Sequence, residues 1–171
     1  GALKWWEAHG YKEAQVLPLK PINIEGILDC VPNHTSCGGD NRDAAYFSDP
    51  VAHFSLPNNL SSFLLVVGVD HNATGKATYG NVVVESAPID QGVFNLTCNG
   101  LAGVDSRSFA GTASTFATVH ADHLFAVHIS RSCDALKAKA GPDAANIYCL
   151  QVKCDELGSN CDTLRVVTRA Y

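Results

Sequence analysis

Phe63-Leu64-Leu65-Val66-Val67-Gly68-Val69 is the stretch on which the reading of this chain turns. It is the longest apolar run, it is rich in β-branched residues, and it holds no charge and no proline. Its length suits a strand and falls far short of the roughly 20 apolar residues that cross a bilayer. A continuous rather than alternating run reads as a central strand covered on both faces. Left on an edge it is an aggregation hazard, so it is expected to have a strand on each side. Asp70-His71-Asn72-Ala73-Thr74-Gly75 follows as a turn, and residues 76–85 return as a second strand. The two read as a hairpin with Asn72 at its tip.

Towards the C-terminus the period of two continues. Residues 91–98 form a third strand, with Phe94, Leu96 and Cys98 on one face and Val93, Asn95 and Thr97 on the other. Residues 115–120 and 123–131 read as a strand pair, the latter pointing Phe125, Val127 and Ile129 inward. Ser132 is placed to cap a short helix, Cys133–Ala140, that Gly141-Pro142 stops. Residues 146–153 and 163–170 are the last two strands. The expected fold is all-β, an antiparallel β-sandwich with one short helix.

Towards the N-terminus the character changes. Residues 26–62 are loop-rich, and residues 1–24 read as an extended arm ahead of a disulfide-stabilised domain, 25–171. Pro18 and Pro21 forbid a helix around them and favour an extended path. Leu17, Leu19, Ile22 and Ile24 are the apolar residues of that path. Trp5 and Trp6 are the only tryptophans. On a strand they point opposite ways, and in a helical turn over residues 2–11 they splay by about 100°. They therefore make no flat sugar-stacking platform and anchor the arm by burying area. The arm docks on its own domain or adds as a strand to the next copy. The second choice is head-to-tail and propagates a filament unless it closes.

Compartment is the clearest message. Asn33-His34-Thr35, Asn59-Leu60-Ser61, Asn72-Ala73-Thr74 and Asn95-Leu96-Thr97 are four N-glycosylation sequons, none with a central proline. With eleven Asn and 21 Ser plus Thr in 171 residues, chance gives about one. A sugar on Asn95 fixes the strand register, because a one-residue slip buries it. Seven Cys, at positions 30, 37, 98, 133, 149, 154 and 161, point the same way, since glycans and disulfides share the secretory route. Cys30 and Cys37 enclose six residues, a tight glycosylated loop whose bridge stabilises by less than ~3 kcal/mol. Cys98 and Cys133 read as long-range partners, Cys149, Cys154 and Cys161 cluster, and an odd count leaves one thiol over. Location is expected to be extracellular or at the cell surface. With no Met and no leader-like segment, the chain reads as a processed form or a fragment.

No catalytic signature accompanies these features. Charged residues are only 17% and the net charge is −5 with no basic run, so nucleic acid is not an expected partner. His120, Asp122 and His123, with His128 further on, are the candidates for a metal or for a hydrolase site. Their spacing matches no metal motif, and on one strand His123 and His128 fall on opposite faces. Tyr46, Phe47, Phe54 and Tyr79 are the aromatics available to a carbohydrate-binding module. The expectation is a non-catalytic N-glycoprotein with a structural role, joined to copies of itself by its N-terminal arm and needing no cofactor. A carbohydrate-binding module and a secreted hydrolase are the alternatives.

Overall fold

The computed structural model describes residues 1–11, 16–21, 45–48, 54–56, 62–86, 91–92, 94–95, 100–101, 103–153 and 163–170. In chain order the elements are α1 (Ala2–Ala8), β1 (Lys20–Pro21), β2 (Ala45–Ser48), β3 (Phe63–Val69), β4 (Gly80–Ser86), β5 (Gln91–Gly92), β6 (Phe94–Asn95), β7 (Gly100–Leu101), β8 (Gly103–Asp105), β9 (Leu124–Ser130), α2 (Cys133–Ala140), β10 (Cys149–Lys153) and β11 (Leu164–Ala170). Strands dominate and fall into two sheets. One runs β1-β2-β11-β4-β5, with β8 also paired to β4, and the other runs β3-β9-β10-β6-β7.

The alternation that makes a half-buried strand is plainest in β4. Gly80, Val82, Val84 and Ser86 are buried, while Asn81, Val83 and Glu85 are half-buried. Strand β11 pairs with it from Leu164↔Ser86 to Ala170↔Gly80. That register sets Arg165 opposite Glu85, and the guanidinium Nε donates to the carboxylate at 2.8 Å. One hydrophobic cluster takes Val82, Val84, Leu164 and Val166 from this sheet and Val66, Phe125, Val127, Ile129, Leu150 and Val152 from the other. Each fully buried side chain of this kind stabilises by about 1.5–3 kcal/mol, so the shared cluster is what binds sheet to sheet. A second cluster, built on Trp6, Leu136, Ala140 and Ile147, packs against Phe63 and Leu65. These alternate along β3 with Leu64 and Val66, so the second cluster covers the opposite face of the second sheet.

Phe63–Val69 is a strand, but its place corrects the sequence reading. Among the described residues it pairs with β9 alone, through all seven residues from Phe63↔Ser130 to Val69↔Leu124. It forms no hairpin with residues 76–85, because β3 and β4 lie in different sheets and the loop between them crosses over. The reason lies in the core: Leu64 and Val66 meet the same cluster as Val82 and Val84, which two sheets sharing one core satisfy and one hairpin does not. Residues 115–120 are turn and bend rather than strand. Thr112 holds that loop down, donating to the Phe109 carbonyl at 2.7 Å and accepting from the Ala126 amide at 3.1 Å.

Two further corrections concern pairing direction and helices. Strands β9 and β10 are parallel, in register Cys149↔His128 to Gln151↔Ser130. Parallel neighbours need a long crossover, and residues 131–148 with α2 inside supply it. Helix α2 forms as the sequence indicates: Ser132 Oγ accepts from the Ala135 amide at 3.2 Å, and Gly141 ends the helix at φ +59°. There are two short α-helices among the described residues, not one, because the start of the arm is helical. No helix of the described residues is long and apolar enough to cross a membrane.

Candidate functional site

The N-terminal helix and its seat are the most elaborated constellation in the molecule. Residues 2–8 hold no glycine, proline or β-branched residue, which permits a helix where an extended arm was expected. The correction stops at Ala8: Val16–Leu19 have no regular structure and Lys20–Pro21 pair with Phe47 and Ser48 of β2. Within the helix the two tryptophans splay, their rings edge to face at 85°. Trp6 is buried, whereas Trp5 is half-buried and stacks on His9 with centroids 3.7 Å apart. The anchoring role expected of them falls chiefly to Trp6.

What Trp6 reaches is His128, in the middle of β9 and fully buried. The imidazole Nδ1 lies 3.0 Å from the Tyr148 carbonyl oxygen, so that nitrogen carries the proton and donates. Nε2 then presents a lone pair, and the Trp6 indole N–H donates to it at 3.1 Å. Phe63, Phe116 and Trp6 surround the ring at centroid distances of 5.4, 5.6 and 5.3 Å. Burial drives the His128 pKa down from 6.5 to about 4, against a smaller upward pull from the Tyr148 carbonyl. The ring is therefore neutral at physiological pH.

Tyr11 closes the seat. Its ring meets Trp6 at 5.2 Å and Phe63 at 4.8 Å, and the Lys139 ammonium of α2 lies 4.6 Å from its centre. Burial raises the Tyr11 pKa. Its hydroxyl is buried with no hydrogen-bond partner among the described residues, a fault that costs about 1–3 kcal/mol. The seat thus joins strong aromatic packing to one unsatisfied polar group.

The other arm residues have separate positions. Leu19 packs against the core shared by the two sheets, and Leu17 is half-buried. Ile22 and Ile24 lie outside the described residues. The described N-terminal residues therefore meet the rest of the described chain through α1 on the second sheet, Leu19 on the shared core and Lys20–Pro21 on the edge of the first sheet.

The sequons divide in the same way. Asn33 and Asn59 lie outside the described residues. Asn72 is exposed in the crossover loop, which buried Asp70 organises by accepting from the Asn72 and Ala73 amides at 3.0 and 3.2 Å. The Asn72 side-chain nitrogen donates to the Thr78 carbonyl at 2.8 Å. A primary amide has two N–H donors, so one remains after a sugar is attached. Asn95 lies in β6, opposite Val152 of β10 and Gly100 of β7.

Among the cysteines, Cys133 and Cys149 are disulfide-bonded, with S–S 2.00 Å and Cα–Cα 5.7 Å. This replaces the expected Cys98–Cys133 pairing. The βαβ crossover brings the start of α2 over the start of β10, where the Cys133 amide also donates to Gln151 at 3.1 Å. Cys30, Cys37, Cys98, Cys154 and Cys161 lie outside the described residues.

The histidine candidates come apart. His120 and His123 stack nearly parallel, 6.1 Å between centroids, on an exposed turn where Asp122 lies 3.6 Å from His123. His120 takes a left-handed backbone, φ +56°. The ring contacts of His128 come from Trp6, Phe63 and Phe116, and none from that turn. No group of three potential metal ligands occurs among the described residues. Of the candidate aromatics, Phe54 packs on the core, Phe47 is half-buried and Tyr79 is exposed.

The sequence reading missed that His128 is the partner of Trp6. The available signal was a histidine and a serine sharing the non-core face of a strand with Leu124 and Ala126 and alternating with Phe125, Val127 and Ile129, a pattern that asks for a polar partner from elsewhere. No protein-family model matches this chain, and no curated protein or solved structure shows significant similarity to it.

Proposed function

We propose that this chain is a non-catalytic domain of a secreted or cell-surface N-glycoprotein, a β-sandwich with a structural role that assembles with copies of itself by exchanging its N-terminal segment. The observation that carries the reading is the Trp6 seat. A helix held by one buried aromatic, and followed by residues 16–19 that have no regular structure, fits the same seat in a neighbouring copy equally well. Exchange needs no new surface, only a connection that passes between molecules. Four sequons and the Cys133–Cys149 bridge support the secretory location.

The test is deletion of residues 1–24, with native and truncated chains compared by light scattering and electron microscopy. Assembly of the native form and a folded, monomeric truncation are expected. A native form that is monomeric at every concentration overturns the assembly. Intact mass before and after enzymatic deglycosylation tests the location. A sugar at exposed Asn72 is the minimum result, and a chain with none refutes the secretory reading.

A further inference from the structure

We propose that the Trp6–His128 contact is an acid-sensitive latch, and that protonation of His128 releases helix α1 from its seat. The inference rests on the exchange reading above and supplies its regulation.

The argument is one of donors and acceptors. Neutral His128 has one N–H, given to the Tyr148 carbonyl, and one lone pair, given to the Trp6 indole. Protonation fills the lone pair with a second N–H. Two donors then face each other across 3.1 Å, and neither has an acceptor. The new cation is also fully buried among Trp6, Phe63 and Phe116, where no water solvates it. One movement relieves both problems. The departure of α1 removes the competing donor and opens the ring to solvent.

Packing of Trp6 on Tyr11 and Phe63 holds the helix down, and among the described residues no charged group around the latch offsets the new cation. From α1 and its extension come His9, which contacts Trp6 at 6.1 Å, and Tyr11. From α2 comes Lys139, whose ammonium lies over the Tyr11 ring. From β10 and the residue before it come the Tyr148 carbonyl and Cys149, the latter held in a disulfide. Strand β3 and the 109–116 loop supply Phe63 and Phe116, which do not titrate. None of these contacts is a carboxylate that offsets the new charge. The unsatisfied Tyr11 hydroxyl gains water on release, a second term in the same direction.

The sign is fixed by linkage. Seated, His128 titrates at about 4, and in water an imidazole titrates near 6.5. The released state binds protons more readily, so acid favours release. The gap between 6.5 and about 4 tilts the equilibrium by up to roughly 300-fold towards release at full protonation.

The experiment uses the full-length chain, whose only tryptophans both lie on α1. Tryptophan fluorescence and strand circular dichroism are followed as pH falls from above 6.5 to below about 4, with light scattering at several concentrations. The expected result is exposure of the tryptophans while the strand signal persists, and its loss in His128→Gln, which accepts a hydrogen bond but does not titrate. The same transition in His128→Gln, or none in the native chain, overturns the latch. Nitrogen-15 NMR of the histidine rings in the native chain tests it without reliance on the variant. A neutral ring with its proton on Nδ1 at neutral pH, becoming cationic as the tryptophans are exposed, is expected, and a cationic His128 still seated refutes it. Tryptophan exposure in acid with no concentration-dependent growth after return to above 6.5 upholds the latch and refutes exchange. Growth that ignores pH upholds exchange and refutes the latch.

Discussion

Strands β3 and β9 lie side by side and have seven residues each, yet they live in different environments. The more apolar, β3, has Val67 58% exposed and Val69 45% exposed. The other contains His128 and Ser130, and every residue from Phe125 to Ser130 is buried. Apolar composition therefore did not choose the central strand. Coverage did, because β9 has a strand on both sides, the shared core on one face, and Trp6 of α1 with Phe116 on the other. Its polar residues survive burial because they are paired. Ser130 Oγ lies 3.3 and 3.2 Å from the Ser62 and Ser132 carbonyls and accepts from the Ser132 amide at 3.1 Å. On the face away from the shared core, strand β3 is covered among the described residues only where Phe63 and Leu65 meet the second cluster.

The sharpest way to break this comparison is to place the same charge in each strand. Val127→Asp buries a carboxylate with no partner and should cost roughly 4 kcal/mol or more, enough to unfold a domain of ordinary stability. Urea denaturation, or failure of secretion, reads it, and a folded Val127→Asp chain would refute the central place of β9.

The next largest effects concern what covers β9. The contribution of neutral His128 is about 3 kcal/mol, from a folded pKa of about 4 against 6.5 unfolded. The unfolded chain binds more protons, so this stability is complete above 6.5 and is lost as pH falls to about 4. The difference in urea stability between the native chain and His128→Gln, measured against pH, isolates it. Replacing Cys133 and Cys149 together by Ala opens a loop of sequence separation 16 and should cost about 3 kcal/mol. A loss below about 1 kcal/mol would mean that the crossover is held by packing alone.

Smaller effects sharpen the edge assignment. A Cβ at Gly68 would lie 2.8 Å from the Phe125 ring, which is itself stacked on Phe109 at 4.3 Å. Gly68→Val should therefore cost about 1–3 kcal/mol by thermal or urea melting. One residue away, Val67→Asp should change stability by about 0.5 kcal/mol or less, because the side chain already faces water. A large loss there would show that Val67 is covered after all.

Much of the fold was legible, and its limits are physical. The inward set Phe125, Val127 and Ile129, the Ser132 cap and the Gly141 stop were readable because each depends on neighbours a few residues away. The anchoring use of tryptophan was readable from area alone. The hairpin after Phe63–Val69 was not, because an apolar run next to a turn does not say whether the chain folds back or crosses to another sheet. The site was less legible still. Trp6 and His128 are 122 residues apart, and no local pattern names a partner at that distance.

The sequence by itself determined which segments become β9, β10, β11 and α2, where α2 begins and ends, and that a tryptophan anchors the N-terminal segment. These follow from side-chain period, capping and steric rules that act within a few residues. Only the tertiary structure decided that β3 lies at an edge among the described residues, that β9 and β10 run parallel, that Cys133 meets Cys149, and that His128 receives the indole of Trp6. Those choices are made by which burial satisfies the whole chain at once. A residue's period states which way it faces, and only the assembled core states what it faces.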